Sequence, residues 1–269
     1  MRIATAFKAY ALAYLVFLYA PIILLPIFAF NDSSIVAFPL QGFTTKWFAA
    51  LFENPTLARA VWNSLVIAVS SALLATCLGV FAARAATRYE FPLKGGIMGL
   101  VMLPLVLPEI IVAVSLLAVL LGLGMSLSIW TVILGHVLIC TPYSVAILNS
   151  AFQSLDRSLE EAAYDLGEGR WSTFRLIILP LVTPGLVSSL LICFTISLDE
   201  FIIAFFLAGT EPTLPVYIFS QFRFPAAVPV IMALGTVLVV LSIILLTIAE
   251  YFRRRGVART GAKDTGGFL

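Results

Sequence analysis

Charge is what this sequence has least of. Of its 269 residues only 11% are Asp, Glu, Lys or Arg, against 61% hydrophobic, and the mean hydropathy is +1.08. A soluble domain carries about 25% charged residues, so this chain cannot cover a water-facing surface, and its natural class is an all-α integral membrane protein. The net charge of +2 leaves no electrostatic footprint for nucleic acid. Histidine is nearly missing: His136 stands alone, which leaves little acid–base chemistry, and a packed span residue is the expected role. The three cysteines, Cys77, Cys140 and Cys193, sit inside apolar runs with no CxxC partner and no His at ligand spacing, so they read as small polarisable packing residues. There is no Ser/His/Asp set, no H-E-x-x-H and no G-x-x-x-x-G-K-[ST], since Gly167-Glu168-Gly169-Arg170 and Gly261-Ala262-Lys263 both fail the spacing. No catalytic residue, metal or cofactor is expected, and if ATP drives the protein another chain must bind it.

What is present is apolar length. Six runs approach the roughly 20 residues that a bilayer core requires: Tyr10–Phe30, Val61–Ala83, Gly96–Leu121, Leu127–Leu148, Leu176–Leu198 and Val228–Ala249. None alternates as a barrel strand does, and an unpaired backbone cannot sit in lipid, so each is expected to be helical. The first run follows Arg2 and Lys8 as a signal peptide would, but it exceeds the 7–15 residues of a signal h-region, contains Pro21 and Pro26 and has no small-x-small cleavage site after it. It reads as a retained span. The basic residues then orient the set: with the N-terminus inside, only Lys46, Arg59 and Arg223 of the 16 fall outside. Both termini are thus expected in the cytoplasm, with one membrane domain over residues 1–255 and a disordered cytoplasmic tail over 256–269.

Between the fourth and fifth runs lies the longest charged, helix-compatible stretch. Ser158 and Glu161 have the spacing of a capping box, Glu160 and Glu161 would occupy a first turn, and Gly167 falls where a left-handed terminator is needed. A second short helix would begin near Ser172 and enter the fifth span at Pro180. Ala162 and Ala163 present no bulk to a partner surface. Glu161-Ala162-Ala163, three residues, Gly167, nine residues, then Ile177-x-Leu179-Pro180 resembles the cytoplasmic coupling loop of bacterial ABC-importer permeases, covering residues of about 150–176. The resemblance implies the type I ABC-importer permease fold, a six-helix bundle in the bacterial inner membrane. It further implies a second homologous permease, a dimer of ATP-binding subunits that receive Glu160, Glu161, Ala162, Ala163, Asp165, Gly167 and Pro180, and an extracytoplasmic solute-binding protein.

Three acids occupy unusual places. Glu109 sits inside the third run, directly after Pro108, and Asp199 and Glu200 end the fifth. A charge at bilayer depth costs on the order of 2.5–3.5 kcal/mol on insertion scales, so each is expected to face water, a partner or a cation. For Glu109 a helix-terminus role at the Pro104/Pro108 kink competes with substrate contact. Successive helical residues point about 100° apart, so Asp199 and Glu200 should not both face one path, and Asp199 is favoured. Asn63 and Ser64 are expected to hydrogen-bond between helices. The stretches Leu103–Ile111, Ser197–Phe201 and Thr213–Ser220 resemble the second permease of spermidine/putrescine importers, and Gly42–Phe48 resembles a recurring segment of polyamine-type permeases. A cationic amine agrees with carboxylates in a low-dielectric path, with Trp47 and Phe201 available for cation–π contact. Amino acids, opines or another solute are the alternative cargo, and an ion-coupled secondary carrier is the alternative mechanism.

Overall fold

The computed structural model describes residues 2–260. Among these every regular element is helical, apart from one isolated bridge between Asn31 and Phe43. The α-helices run α1 (Arg2–Ala29), α2 (Lys46–Phe52), α3 (Pro55–Arg88), α4 (Lys94–Met102), α5 (Glu109–Gly122), α6 (Ile129–Gln153), α7 (Ser158–Asp165), α8 (Arg170–Thr173), α9 (Leu179–Asp199), α10 (Ile202–Leu207), α11 (Leu214–Gln221) and α12 (Val228–Thr260). Five stretches among the described residues are long and apolar enough to cross a membrane.

A sixth crossing exists only if a broken pair counts as one. The expected single helix over Gly96–Leu121 is instead α4 with a 3-10 turn at Leu103–Leu105, then α5, meeting at 104°. The cause is local: Pro104 and Pro108 supply no N–H and their rings exclude a helix interior, and Pro108 takes extended ψ of 128° as the residue before α5. By contrast Pro21 and Pro26 lie inside α1 without ending it.

The chain divides into two compact units, residues 1–55 with 220–269, and residues 56–219. In the first, α1 and α2 pack on α12. The segment after α1 is tied by Asn31, whose Oδ1 accepts the Gln41 N–H at 2.9 Å and whose carbonyl accepts the Trp47 indole N–H at 2.8 Å. Phe30 packs between Phe43 and Phe48, and Lys46 pairs with Asp32. Helix α12 continues through Thr260, into the segment expected to be a disordered tail; residues 261–269 of that tail lie outside the described residues.

The second unit holds the main core. Along α3 the buried positions Ala60, Ser64, Ala68, Ala72, Ala75, Gly79 and Ala83 recur every three or four residues, the small-residue stripe through which membrane helices approach closely. A Cβ on Gly79 would collide with Ser144 of α6, and one on Gly135 with the side chains of Ile203 and Leu207, so each glycine leaves room that a neighbouring helix fills. Helix α6 packs most extensively on α9. Inside that seam Ser189 Oγ is 2.8 Å from Ser144 Oγ and 3.0 Å from Thr76 Oγ1, and the Cys140 and Cys193 thiols each face the other's carbonyl.

Candidate functional site

The loop between α6 and α9 is built from its hydrogen bonds outward. The capping box expected from Ser158 and Glu161 does not form, because Ser158 is already the first helical residue of α7. Asp156 takes the job instead: its Oδ1 accepts the Ser158 N–H at 2.9 Å, and this bond holds the Asp156 carboxyl below the usual carboxylate range. Glu160 and Glu161 occupy the first turn, where the positive end of the helix dipole favours them. The other end matches expectation. Gly167 has φ of +87°, Glu168 N–H bonds to Ala163 O at 3.0 Å and Gly167 N–H to Tyr164 O at 2.9 Å, a Schellman closure. Helix α8 then starts at Arg170 and passes through a π-helical turn, Phe174–Ile178, into α9 without a break. Pro180 withholds the N–H that an α-helix would give to the Leu176 carbonyl, which accounts for the widened turn just before it.

The faces of α7 are unequal. Glu160 and Ala163, three residues apart, point inward and are buried, whereas Glu161, Ala162, Asp165 and Gly167 are exposed, as is Pro180. Ala163 therefore packs against its own chain, and only Ala162 offers its small side chain outward. Glu160 grips α3: its Oε1 accepts Arg88 Nε–H at 2.6 Å and its Oε2 accepts Arg84 Nη2–H at 3.2 Å, all three side chains being only 10–13% exposed. Arg88 also donates to Leu155 O at 3.1 Å and Arg157 to Thr87 O at 3.2 Å. The beginning of α7 is thereby stitched to the end of α3. In the sequence Arg84 and Arg88 carried only an orientation signal; their i, i+4 spacing was the available hint that they share a face.

At the far end of α9 the two neighbouring acids part company. Asp199 is exposed. Glu200 is buried and closes the first turn of α10, accepting Ile203 N–H at 3.0 Å and Ala204 N–H at 3.1 Å. Its Oε2 lies 3.2 Å from His136 Nε2, and His136 Nδ1 is 2.7 Å from Ser197 Oγ. His136 is thus packed and polar-paired. Phe201 packs on Phe205 and Phe219 with ring centroids 5.5 and 4.9 Å apart. Glu109 is the exposed first residue of α5, at the bend. Trp47 belongs to the other unit, half-buried, with Lys46 Nζ 4.5 Å from its ring centre. Asn63 Nδ2 donates to Pro212 O at 3.1 Å, and Ser64 Oγ accepts the Leu214 N–H at 2.7 Å, fixing the outset of α3 to the segment leading into α11.

Against this geometry, known proteins agree with one another. Residues 75–256 match the family described as the binding-protein-dependent transport system inner membrane component. The spermidine/putrescine transport system permease protein PotC of Haemophilus influenzae is 37% identical over 95% of this chain and 97% of its own. The putrescine transport system permease protein PotI of Escherichia coli is 37% identical over 82% and 81%. A solved bacterial ABC transporter involved in import of the acidic polysaccharide alginate shares the fold with TM-score 0.72 at 17% identity, covering 94% of this chain and 96% of that one. The MetNI methionine ABC transporter in an inward-facing conformation gives 0.60 at 20% identity, over 75% and 95%.

Proposed function

The chain belongs to the family of binding-protein-dependent transport system inner membrane components, and from that membership we propose that it is the permease of an ABC importer that carries putrescine or spermidine. The names of its relatives, at 35–37% identity over most of the chain, favour a polyamine over an amino acid or opine. The observation that carries the mechanism is the continuity of the loop with the spans. The exposed face of α7 (Glu161, Ala162, Asp165 and Gly167) is clamped to α3 through Glu160 and leads through α8 into α9, which ends at the exposed Asp199.

In this reading the loop faces the cytoplasm, as the distribution of basic residues supports, and the bent pair α4–α5 serves as one of six spans. A dimer of ATPase subunits receives the exposed face of α7. Their ATP-driven closure displaces α7, and the Glu160 clamp and the α8–α9 continuity deliver that displacement to two different helices of the core. A second permease completes the pathway, and an extracytoplasmic binding protein supplies the cargo. Asp199 offers a carboxylate to a protonated amine, with Phe201 as an aromatic wall and Glu109 at the mouth of the α4–α5 bend. Glu200 has both oxygens occupied by its own chain and positions α10.

Uptake of labelled putrescine into proteoliposomes holding the complete assembly tests this. A charge-assisted hydrogen bond is worth about 1.5–3 kcal/mol, so Asp199→Asn should lower uptake about 10- to 150-fold with the assembly intact. Glu200→Gln should instead reduce the yield of folded assembly. Wild-type uptake by Asp199→Asn would remove that residue from the path, and no putrescine uptake by the wild type would remove the cargo assignment.

A further inference from the structure

Beside the clamp, the end of α3 and the start of α8 border a cavity of about 360 Å³. Phe81, Tyr89, Trp171 and Phe174 give it aromatic walls, and Arg84 and Arg170 are the charged residues among its described lining. No carboxylate is among its described lining residues. The Arg84 guanidinium lies 5.0 Å from the Phe174 ring centre. Its Nη2 is held by Glu160, but Nη1 is buried and has no acceptor among the described residues. A second cavity, of about 230 Å³, shares Tyr89 and Arg170 but is lined by Glu160 and Glu161 as well as Arg88 and Arg157, so the preference for an anion is confined to the first.

The location narrows the occupant. Arg84 and Arg88 stand where the apolar run of α3 ends, and Trp171 is exposed next to Arg170, the Trp-with-Arg signature of a membrane interface. A buried guanidinium nitrogen without an acceptor costs free energy until an anion meets it, and aromatic walls reward apolar matter. A free inorganic anion satisfies the first demand only. An anionic phospholipid satisfies both, and basic pockets between spans at the bilayer surface bind such headgroups. The geometry points to a site for one anionic phospholipid, its phosphate on Arg84 and Arg170 and its glycerol and upper acyl carbons along Phe81, Trp171 and Phe174. Because Arg84 also holds Glu160, the bound lipid steadies the clamp on α7. The inference rests on the membrane-spanning character of the chain and not on its cargo.

Native mass spectrometry of the full-length chain, purified in detergent within the assembly in which it is expressed, tests the site. Dioleoyl phosphatidylglycerol should be retained over dioleoyl phosphatidylcholine. Loss of one interfacial Arg should weaken retention about fivefold in Arg170→Gln, with a further loss in Arg170→Gln/Trp171→Ala. Arg175→Gln, an exposed neighbour outside the lining, should match wild type. Equal retention of the two lipids, or equal loss in Arg170→Gln and Arg175→Gln, overturns the proposal. So does competition by millimolar sn-glycerol 3-phosphate, which would mark a bare anion site. Displacement of the lipid by added ATPase subunits would assign the cavity to a protein partner and likewise overturn it.

Discussion

Replacing Glu160 by Gln should loosen α7 without unfolding the spans, and the size of the effect can be worked from the clamp. Glu160 accepts from Arg88 at 2.6 Å and from Arg84 at 3.2 Å with all three side chains 10–13% exposed, so solvent screening removes little. Breaking a buried ion pair costs up to about 3–5 kcal/mol. The loss here is smaller, since Gln keeps a neutral acceptor and Arg88 keeps its bond to Leu155 O. The charge-assisted component is about 1.5–3 kcal/mol. Local opening of α7 should become favourable by that amount, so hydrogen exchange of amides 159–166 should quicken about 10- to 150-fold. Amides of α6 around Cys140, which share no contact with the clamp, serve as the control. A cycle with Arg88→Gln should show non-additivity of at least about 0.5 kcal/mol, and uptake should fall while ATP hydrolysis by the assembly persists. Additive effects within that margin, or exchange altered less than about threefold, would refute the clamp as the tie between α7 and α3.

Three further outcomes follow from the same region and from the core. At Gly167 a Cβ meets nothing of its own chain within 4 Å, so substitution acts on the fold of the loop through its φ of +87°: Gly167→Asn should leave the loop nearly as stable as wild type. Gly167→Val should cost more than about 1 kcal/mol and cut uptake while membrane insertion persists; equal behaviour of the two would contradict the left-handed cap. Gly135→Ala drives a Cβ into Ile203 Cγ2 and Leu207 Cδ1 and should destabilise by about 1–3 kcal/mol, read as a lowered thermal midpoint of the detergent-purified assembly; an unchanged midpoint would contradict the close approach. Asp156 titrates below the usual carboxylate range because it accepts the Ser158 N–H. Its support of α7 is thus fully present above its unfolded pKa and lost as pH falls through the lower folded value. Exchange of α7 amides, corrected for intrinsic rates, should therefore stay flat across pH 5–8, and a rise within that window would assign the cap elsewhere.

How much of this was legible in the sequence depends on the range of the forces involved. Apolar length located α1, α3, α6, α9 and α12, because the cost of lipid exposure acts residue by residue. Gly167 was legible because a positive φ leaves a chemical signature, and Asn63 and Ser64 because a polar group among apolar ones must find a partner. The break at Pro104 and Pro108 was half legible: the prolines were noted as a kink, but a kink and a 104° turn differ only in what packs around them. Ser158 and Glu161 had capping-box spacing and lost to Asp156, two residues upstream, whose carboxylate competes for the same backbone donors. Glu160 and Arg84 are 76 residues apart, and nothing local reports such a pairing. The partition of Asp199 from Glu200 was expected from helical geometry, yet which of them turns inward depended on His136 and on the first turn of α10.

Helix α3 has one more property, seen when it is treated as a lever. Asn63 is fastened near one end by Pro212 O and Arg88 near the other by Glu160, and at 1.5 Å per residue these anchor points lie about 37 Å apart. A close-packed α-helix transmits tilt with little bending, so rocking it by about 10° about one anchor sweeps the other through about 6 Å, slightly more than one helical turn. Motion of a few ångströms at α7 thus tilts α3 by several degrees about the Asn63 anchor, and each position of its small-residue stripe shifts in proportion to its distance from that anchor, with no chain of intermediate contacts required to relay it.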